Sequence, residues 1–332
     1  MPNTLFSEHA IDTGITSHDR KEWLLARRKV VTASGTAALL GLHPYLDPID
    51  IYAEMLSTEP INDVDHGLDS PLTWGLALEE AIAKTAAKHY GWNLEMSGRL
   101  LLSKANPNIG ATLDAEFIDG QGVACVYEGK SWSAMRSKDW DEETGKAPDY
   151  IAIQAQTQLI VTGAPVNHVC CLIGGAKWSH IIFEPFPELK DMILKAVDDF
   201  MGHITRLEPP PVTYRSQDAI RTLYPQDNGE VITLPAEAME WAAEANNLAE
   251  QIKLMTEQRE ELRNRIRMSI GEATYGVLPL TLGMDDINGP IGFKYSHQHK
   301  NAYMVSESNS RPLISVKKIP GVNDFKKKKP RY

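Results

Sequence analysis

The sequence predicts an α/β fold, a mixed central sheet flanked by helices, with a helical extension behind it. Three observations predict it. Helix-periodic and strand-like segments alternate as α-β-β-α-β-β-α through about residue 206. A proline run at 209–211 breaks that pattern. Beyond the prolines, apolar residues recur on a 4-3 alternation through about 236–271, the mark of a long helix. The expected domains are therefore a core over 1–210 and an extension over 211–332.

Residues 18–41 read as helix, short strand or turn, then helix. Trp23, Leu24 and Arg27 precede Val30 and Val31, and Thr32 or Ser34 is the expected N-cap of the second helix. Gly41 after Leu39 and Leu40 is a stop. Residues 75–90 form a helix with Leu78, Ile82 and His89 on one face, closed by Gly91. Residues 109–119 and 123–130 read as two strands joined by Gly120, Gln121 and Gly122. A helix over 149–162 ends at Gly163. The apolar run 166–173 suits a buried strand, 181–183 another strand, and 187–206 another helix. In the extension, Trp241, Ala245, Leu248, Ile252, Met255, Leu262 and Ile266 hold the 4-3 alternation, with Arg259 its one break. A coiled-coil helix and a long surface helix packed on its own domain both satisfy this pattern. Residues 290–317 are expected to form a terminal hairpin, followed by a lysine-rich end.

Apolar residues make up 42% of the 332, enough for a filled core. No stretch reaches the roughly 18 apolar residues that span a bilayer, and no basic-then-apolar leader opens the sequence. Cys125, Cys170 and Cys171 have no metal-ligand spacing, so buried reduced thiols in a cytoplasmic protein are expected. The net charge of −10 weighs against a uniformly basic nucleic-acid binder. The charge is uneven, however: Arg27, Arg28 and Lys29 cluster, and the chain ends FKKKKPRY.

The chemistry-bearing pattern is Asp114, Glu128 and Lys130. Residues two apart on a strand share a face, so Glu128 and Lys130 point the same way. A three-residue loop would place Asp114 opposite Glu128 on that face, whereas a four-residue loop would pair Asp114 with Tyr127 and separate the carboxylates. Both lengths are open to the sequence. Two carboxylates and a lysine on an otherwise apolar hairpin need a reason. Phosphodiester hydrolysis supplies one, through hard oxygen ligands for one or two Mg²⁺ ions and a cation for the developing charge. The Gly129 carbonyl lies between the two side chains as a further potential ligand. A lone Asp…Glu-x-Lys match is commonly a solvated strand face. Here the neighbouring helices carry Glu79, Glu80, Gln154 and Gln158. Gly129-Lys130-Ser131 mimics the end of a phosphate-binding loop, but Ala124 stands where that loop needs glycine. His297 and His299 would share a strand face without a third ligand.

Several segments then resemble, in order, the YqaJ-type viral recombinase family, which includes phage lambda exonuclease within the PD-(D/E)xK nuclease superfamily. They are Trp23 to Arg27 with Val31-Thr32-Ala33-Ser34; Trp74-Gly75 through Glu79; Gly110 through Asp114; Glu128-Gly129-Lys130; and Tyr150, Gln154 and Gln156 through Val161-Thr162-Gly163. Leu113 stands where the superfamily name has proline. The resemblance implies a restriction-endonuclease-like core, with metal ligation by Asp114, Glu128, Gly129 and Glu79. It implies Lys130 as the catalytic lysine, Gln154 lining the site, and Arg27 and Ser34 holding a 5′-phosphate. It further implies Mg²⁺ (or Mn²⁺) and 5′→3′ resection of linear duplex ends. A RecT-like annealing partner and a homo-oligomer, trimeric in the smaller relatives, are implied as well. A restriction-like or structure-specific endonuclease is the rival enzyme. A non-catalytic DNA-binding component of a recombination complex is the rival of another class.

Overall fold

A computed structural model describes residues 4–57, 67–277 and 292–295. They divide into two compact units, Met1–Gln226 and Asp227–Tyr332.

The first unit runs β1 (Ala10–Thr16), α1 (Arg20–Arg27), β2 (Val31–Thr32), α2 (Thr36–Leu39), α3 (Pro48–Leu56), α4 (Pro71–Tyr90) and β3 (Glu95–Met96). It continues with β4 (Arg99–Ser103), β5 (Ile109–Thr112), β6 (Ala115–Ile118), β7 (Ala124–Trp132), α5 (Asp149–Thr162), β8 (Asn167–Ile173), β9 (Lys177–Phe183), α6 (Pro187–Arg206) and α7 (Gln217–Leu223). The fold is α/β with mixed sheets flanked by helices. One sheet is ordered β1-β4-β5-β2 and the other β3-β6-β7-β8-β9. In the second, β7 and β8 are parallel and α5 lies on the crossover between them, while the remaining pairs are antiparallel.

The run 109–119, expected as one strand, is two. It breaks at Leu113 and Asp114, and its halves join different sheets. Asp114 therefore sits on the seam where the chain passes from one sheet to the other. The hairpin pairs Ala115 with Tyr127 and Ile118 with Ala124. Asp119 N–H donates to Val123 O at 2.9 Å, so the turn is the three-residue one. The Asp119 carboxylate accepts from the N–H groups of Gln121 and Val123, each at 2.8 Å, and Gly122 takes φ +82°, which only glycine adopts at little cost.

Helix α4 begins at Pro71 behind the N-cap Ser70. Its inward face is Ile82, Ala83 and Ala86, with Glu79 half-buried one turn earlier. His89, expected on that face, is exposed. Helix α2 is a single turn capped by Gly35 without a side-chain bond, so neither Thr32 nor Ser34 is its N-cap. Helix α5 is almost wholly buried, which explains its polar interior positions: Gln156, Thr157, Gln158 and Thr162 are all enclosed and all hydrogen-bonded. The cysteines are free and buried, as the sequence implies.

The first unit continues past the proline run. Arg215 and Thr213 both donate to the buried Asp47 carboxylate, and Ala219 of α7 packs on Ile49 and Ala53 of α3. The sequence places its boundary at residue 210; the compact unit extends to Gln226.

The second unit contains α8 (Ala238–Ile270), β10 (Tyr275–Val277) and β11 (Gly292–Lys294). Helix α8 matches the expected span and buries none of its residues. Strand β11 pairs antiparallel with β10, so its partner precedes the 290–317 range expected for a hairpin. The rest of that range, with His297, His299 and the lysines at 326–329, lies outside the described residues. Among the described residues no helix is long and apolar enough to cross a membrane.

Candidate active site

Strand β7 brings Glu128 and Lys130 to one face, and α5 lies against it. Gln154 and Gln158, four apart on α5, share the helix face toward the strand. Glu128 is buried, with 3% of its surface exposed, and both its oxygens are engaged. Gln154 Nε2 donates to Oε1 at 2.7 Å, Gln158 Nε2 donates to Oε2 at 2.6 Å, and the Lys130 ammonium donates to Oε1. Gln158 is itself held by Asn167, whose Nδ2 donates to Gln158 Oε1 at 2.7 Å. A buried carboxylate survives only with this degree of satisfaction. Asp114 reaches across the hairpin and accepts the Gly129 N–H at 2.8 Å through Oδ2. A Cβ on Gly129 would lie 3.2 Å from the Tyr127 hydroxyl and in ordinary contact, 3.7 Å, with Asp114 Oδ2, so a side chain there would press on Tyr127.

The electrostatics reflect crowding of like charge. Burial, reinforced by Glu128, lifts the Asp114 carboxyl well above the ordinary carboxylate range against the pull of Lys130. Burial and then Glu128 lift Glu79 as well. At Lys130 burial works to lower the pKa, but Glu128 and Asp114 outweigh it and keep the ammonium charged.

A second cluster lies beside the first. Arg27 stacks its guanidinium over Trp23 at 4.4 Å and donates to Ser34 Oγ at 3.1 Å. Trp23 Nε1 donates to Thr112 Oγ1 at 2.9 Å, while the Thr112 carbonyl accepts from Gln158 at 3.4 Å. Thr112, at the end of β5, thus bridges the arginine cluster and the Glu128 network. One cavity of about 700 Å³ is lined by Arg20, Trp23, Arg27, Glu79, Asp114 and Gln154 among others.

The sequence-expected residues Asp114, Glu128, Lys130, Glu79, Gln154 and Arg27 thus converge. Ser34 joins Arg27, but the dipole argument for it does not carry: it precedes a one-turn helix, and its hydroxyl is held by Arg27 and by Thr32 at 3.2 Å. Gln156 works elsewhere, bonding the backbone of Glu184 and Phe186. Sequence reasoning missed Asn167 and Thr112. No local signal marks them, because each acts through residues distant in the chain. Gln158 is visible only as the i+4 neighbour of Gln154.

Among the described residues no three His, Cys, Asp or Glu side chains already form a metal cage. At Glu128, amides and an ammonium occupy both oxygens. The donor chemistry still fits a hard divalent cation. Asp114, Glu128 and Glu79 offer carboxylate oxygens whose mutual repulsion such an ion would relieve.

Residues 22–165 match the family model of the YqaJ-like viral recombinase domain. The chain is 26% identical over 265 residues to the uncharacterized protein YqaJ of Bacillus subtilis (strain 168), covering 78% of this chain and 81% of the relative. Two crystal structures are similar to it. One is an alkaline exonuclease from Laribacter hongkongensis, LHK-Exo, at 19% identity and TM-score 0.44, covering 56% of this chain and 93% of that one. The other is a phage-related exonuclease from Haemophilus somnus 129PT, at 13% identity and TM-score 0.41, covering 54% and 94%.

Proposed function

From the YqaJ-like viral recombinase domain at residues 22–165, we propose that this protein is a metal-dependent DNA exonuclease that resects linear duplex from the 5′ end. The observation that carries this reading is the shared cavity. Arg27 lines one part of it, and Asp114, Glu79 and Gln154 line another, so a DNA end gripped by its phosphate lies beside the carboxylates. Arginine grips phosphate bidentately, and Trp23 keeps the guanidinium in place by stacking.

Asp114, Glu128 and Glu79, with the Gly129 carbonyl, would hold Mg²⁺ or Mn²⁺. When bound, the metal lowers the pKa of water and neutralises phosphate charge. The chain's own residues do the rest. Lys130, kept protonated by its carboxylate neighbours, stabilises charge on the scissile phosphate. Gln154 and Gln158 fix the Glu128 carboxylate and hold its rotamer. A 5′→3′ polarity leaves a 3′ single strand, the substrate of a RecT-like annealing protein, which we take as the partner. Self-association, trimeric on the resemblance, belongs to the same reading.

The test is digestion of end-labelled linear duplex, with and without Mg²⁺, bearing 5′-phosphate or 5′-hydroxyl ends, beside closed circles. Metal-dependent loss of 5′ label, faster on phosphorylated ends, is expected. Equal cutting of circles would overturn the exonuclease reading in favour of an endonuclease.

A further inference from the structure

We propose that the second unit carries a binding site for single-stranded DNA, lined by α8 and β11. It rests on the nuclease reading only for the source of the strand. A cavity of about 590 Å³ is lined by Arg259, Arg263, Arg267 and Lys294, by Phe293 and Tyr295, and by Ile266 and Ile270. Among the described residues no acidic side chain lines it. Glu260, on α8 beside the row, pairs with Arg267 and approaches Arg263 at 3.9 Å. The chain is strongly acidic overall, so this concentration of cations stands against its own composition.

The spacing suits a polynucleotide backbone, and the aromatic pair selects the unpaired strand. Arg259, Arg263 and Arg267 are four apart and run along one helix face, rising about 6 Å per step. A step of that size is comparable to the through-space distance between neighbouring phosphates of one strand, so the row can follow a single backbone. The aromatic pair supplies somewhere for bases to go. Phe293 and Tyr295 are two apart, so their rings lie on the same side of the chain. The Tyr295 N–H bonds Thr274 O at 2.9 Å, continuing the ladder, and both rings are exposed, Phe293 by 36% and Tyr295 by 50%. Aromatic rings beside a row of cations are the elements of sequence-tolerant single-strand binding. The site also gives a use to Arg259, the one break in the apolar alternation of α8, which lines the cavity beside Arg263 and Ile266.

The experiment measures binding of fluorescent oligothymidylate to the full chain in EDTA, where no cleavage interferes. Arg259→Ala with Arg263→Ala is expected to weaken binding at least about tenfold and to reduce the slope of log K against log salt by about 1.4. Tyr295→Ala is expected to weaken it at least about fivefold, with Tyr295→Phe retaining it. Mg²⁺-dependent cleavage of a short phosphorylated duplex should be unchanged in all of these variants. Unaltered oligothymidylate binding overturns the proposal. So does equal loss of a blunt-duplex probe, or competition by thymidine monophosphate as tight as the oligomer, which assigns the cavity to free nucleotide. A chain that binds the oligomer in this way but cleaves no DNA would keep the site and remove the nuclease reading.

Discussion

Strand β7 and helix α8 both carry many charged or polar side chains and use them in opposite ways. On β7, Glu128 is enclosed and bonded to residues 26 and 30 positions away. On α8, Glu261 pairs with Arg265 and Glu260 with Arg263 and Arg267, all within two turns and all solvated. The first arrangement requires the whole fold; the second requires only a helix. A charge held by the fold is expensive and therefore has a use, whereas a charge held by its own helix can be ordinary surface. The contrast says where chemistry resides, and it also says what each region should lose on mutation.

The largest expected effect is at Glu128. Glu128→Gln keeps the shape but removes the charge that Lys130 and a metal need, and cleavage should fall by about 10²–10³-fold or more, read in the end-labelled duplex assay. Glu128→Ala should additionally destabilise the first unit by about 3 kcal/mol in urea denaturation, since it strands the Lys130 ammonium and two amides. Full cleavage by Glu128→Gln would remove β7 from the chemistry and collapse the comparison.

An intermediate effect comes from the far side of the same sheet. His168 Nδ1 and His180 Nε2 lie 2.9 Å apart within an aromatic cluster that includes Tyr90, Trp92 and Phe117. Burial, and then His180, depress His168 to about 4. A depressed folded pKa means the unfolded chain binds more protons between about 4 and 6.5, so stability is present above 6.5 and lost as pH falls toward 4. Denaturation at pH 7 and at pH 4.5 should differ on the order of 2 kcal/mol from this group. His168→Phe should flatten that dependence; an unchanged slope would show the ring is not held neutral.

The smallest effect is on α8. Glu261→Ala should shift stability by less than about 0.5 kcal/mol, because an exposed i,i+4 pair gains little. A loss of several kcal/mol would show that α8 charges are held as firmly as those of β7.

The same contrast governs what the sequence reveals. Helix α8, α5 with its Gly163 stop, α6 and the hairpin are legible because periodicity and turn residues are local signals. Strand β1 pairs with β4, more than eighty residues away, so nothing nearby announces it, whereas β4 also pairs with its neighbour β5, and its apolar run 100–102 is a local signal that the expected elements omit. Helix α3 did carry a signal, the capping box between Asp47 and Asp50 with Pro48 at its start. The division of 109–119 between two sheets leaves no glycine or proline at Leu113 and Asp114 to mark it. In the site, spacing joins Glu128 to Lys130 and leaves Asp114 to one of two registers, while the places of Glu79, Gln154 and Arg27 come from the resemblance. Asn167 and Thr112 stay hidden because their contribution is a hydrogen bond to a residue that itself supports Glu128.

The turn over residues 120–122 gives this arrangement an unexpected vulnerability. It is exposed and touches none of the reacting groups, the kind of loop in which proteins ordinarily tolerate an added residue. Here its length acts as a gauge. One inserted residue would shift the β6–β7 pairing by one, carry Asp114 to the opposite side of the sheet from Glu128, and leave a folded hairpin with no site. Selection on catalysis should therefore be felt as a prohibition on insertions at a loop where, Gly122 apart, the side chains themselves matter little.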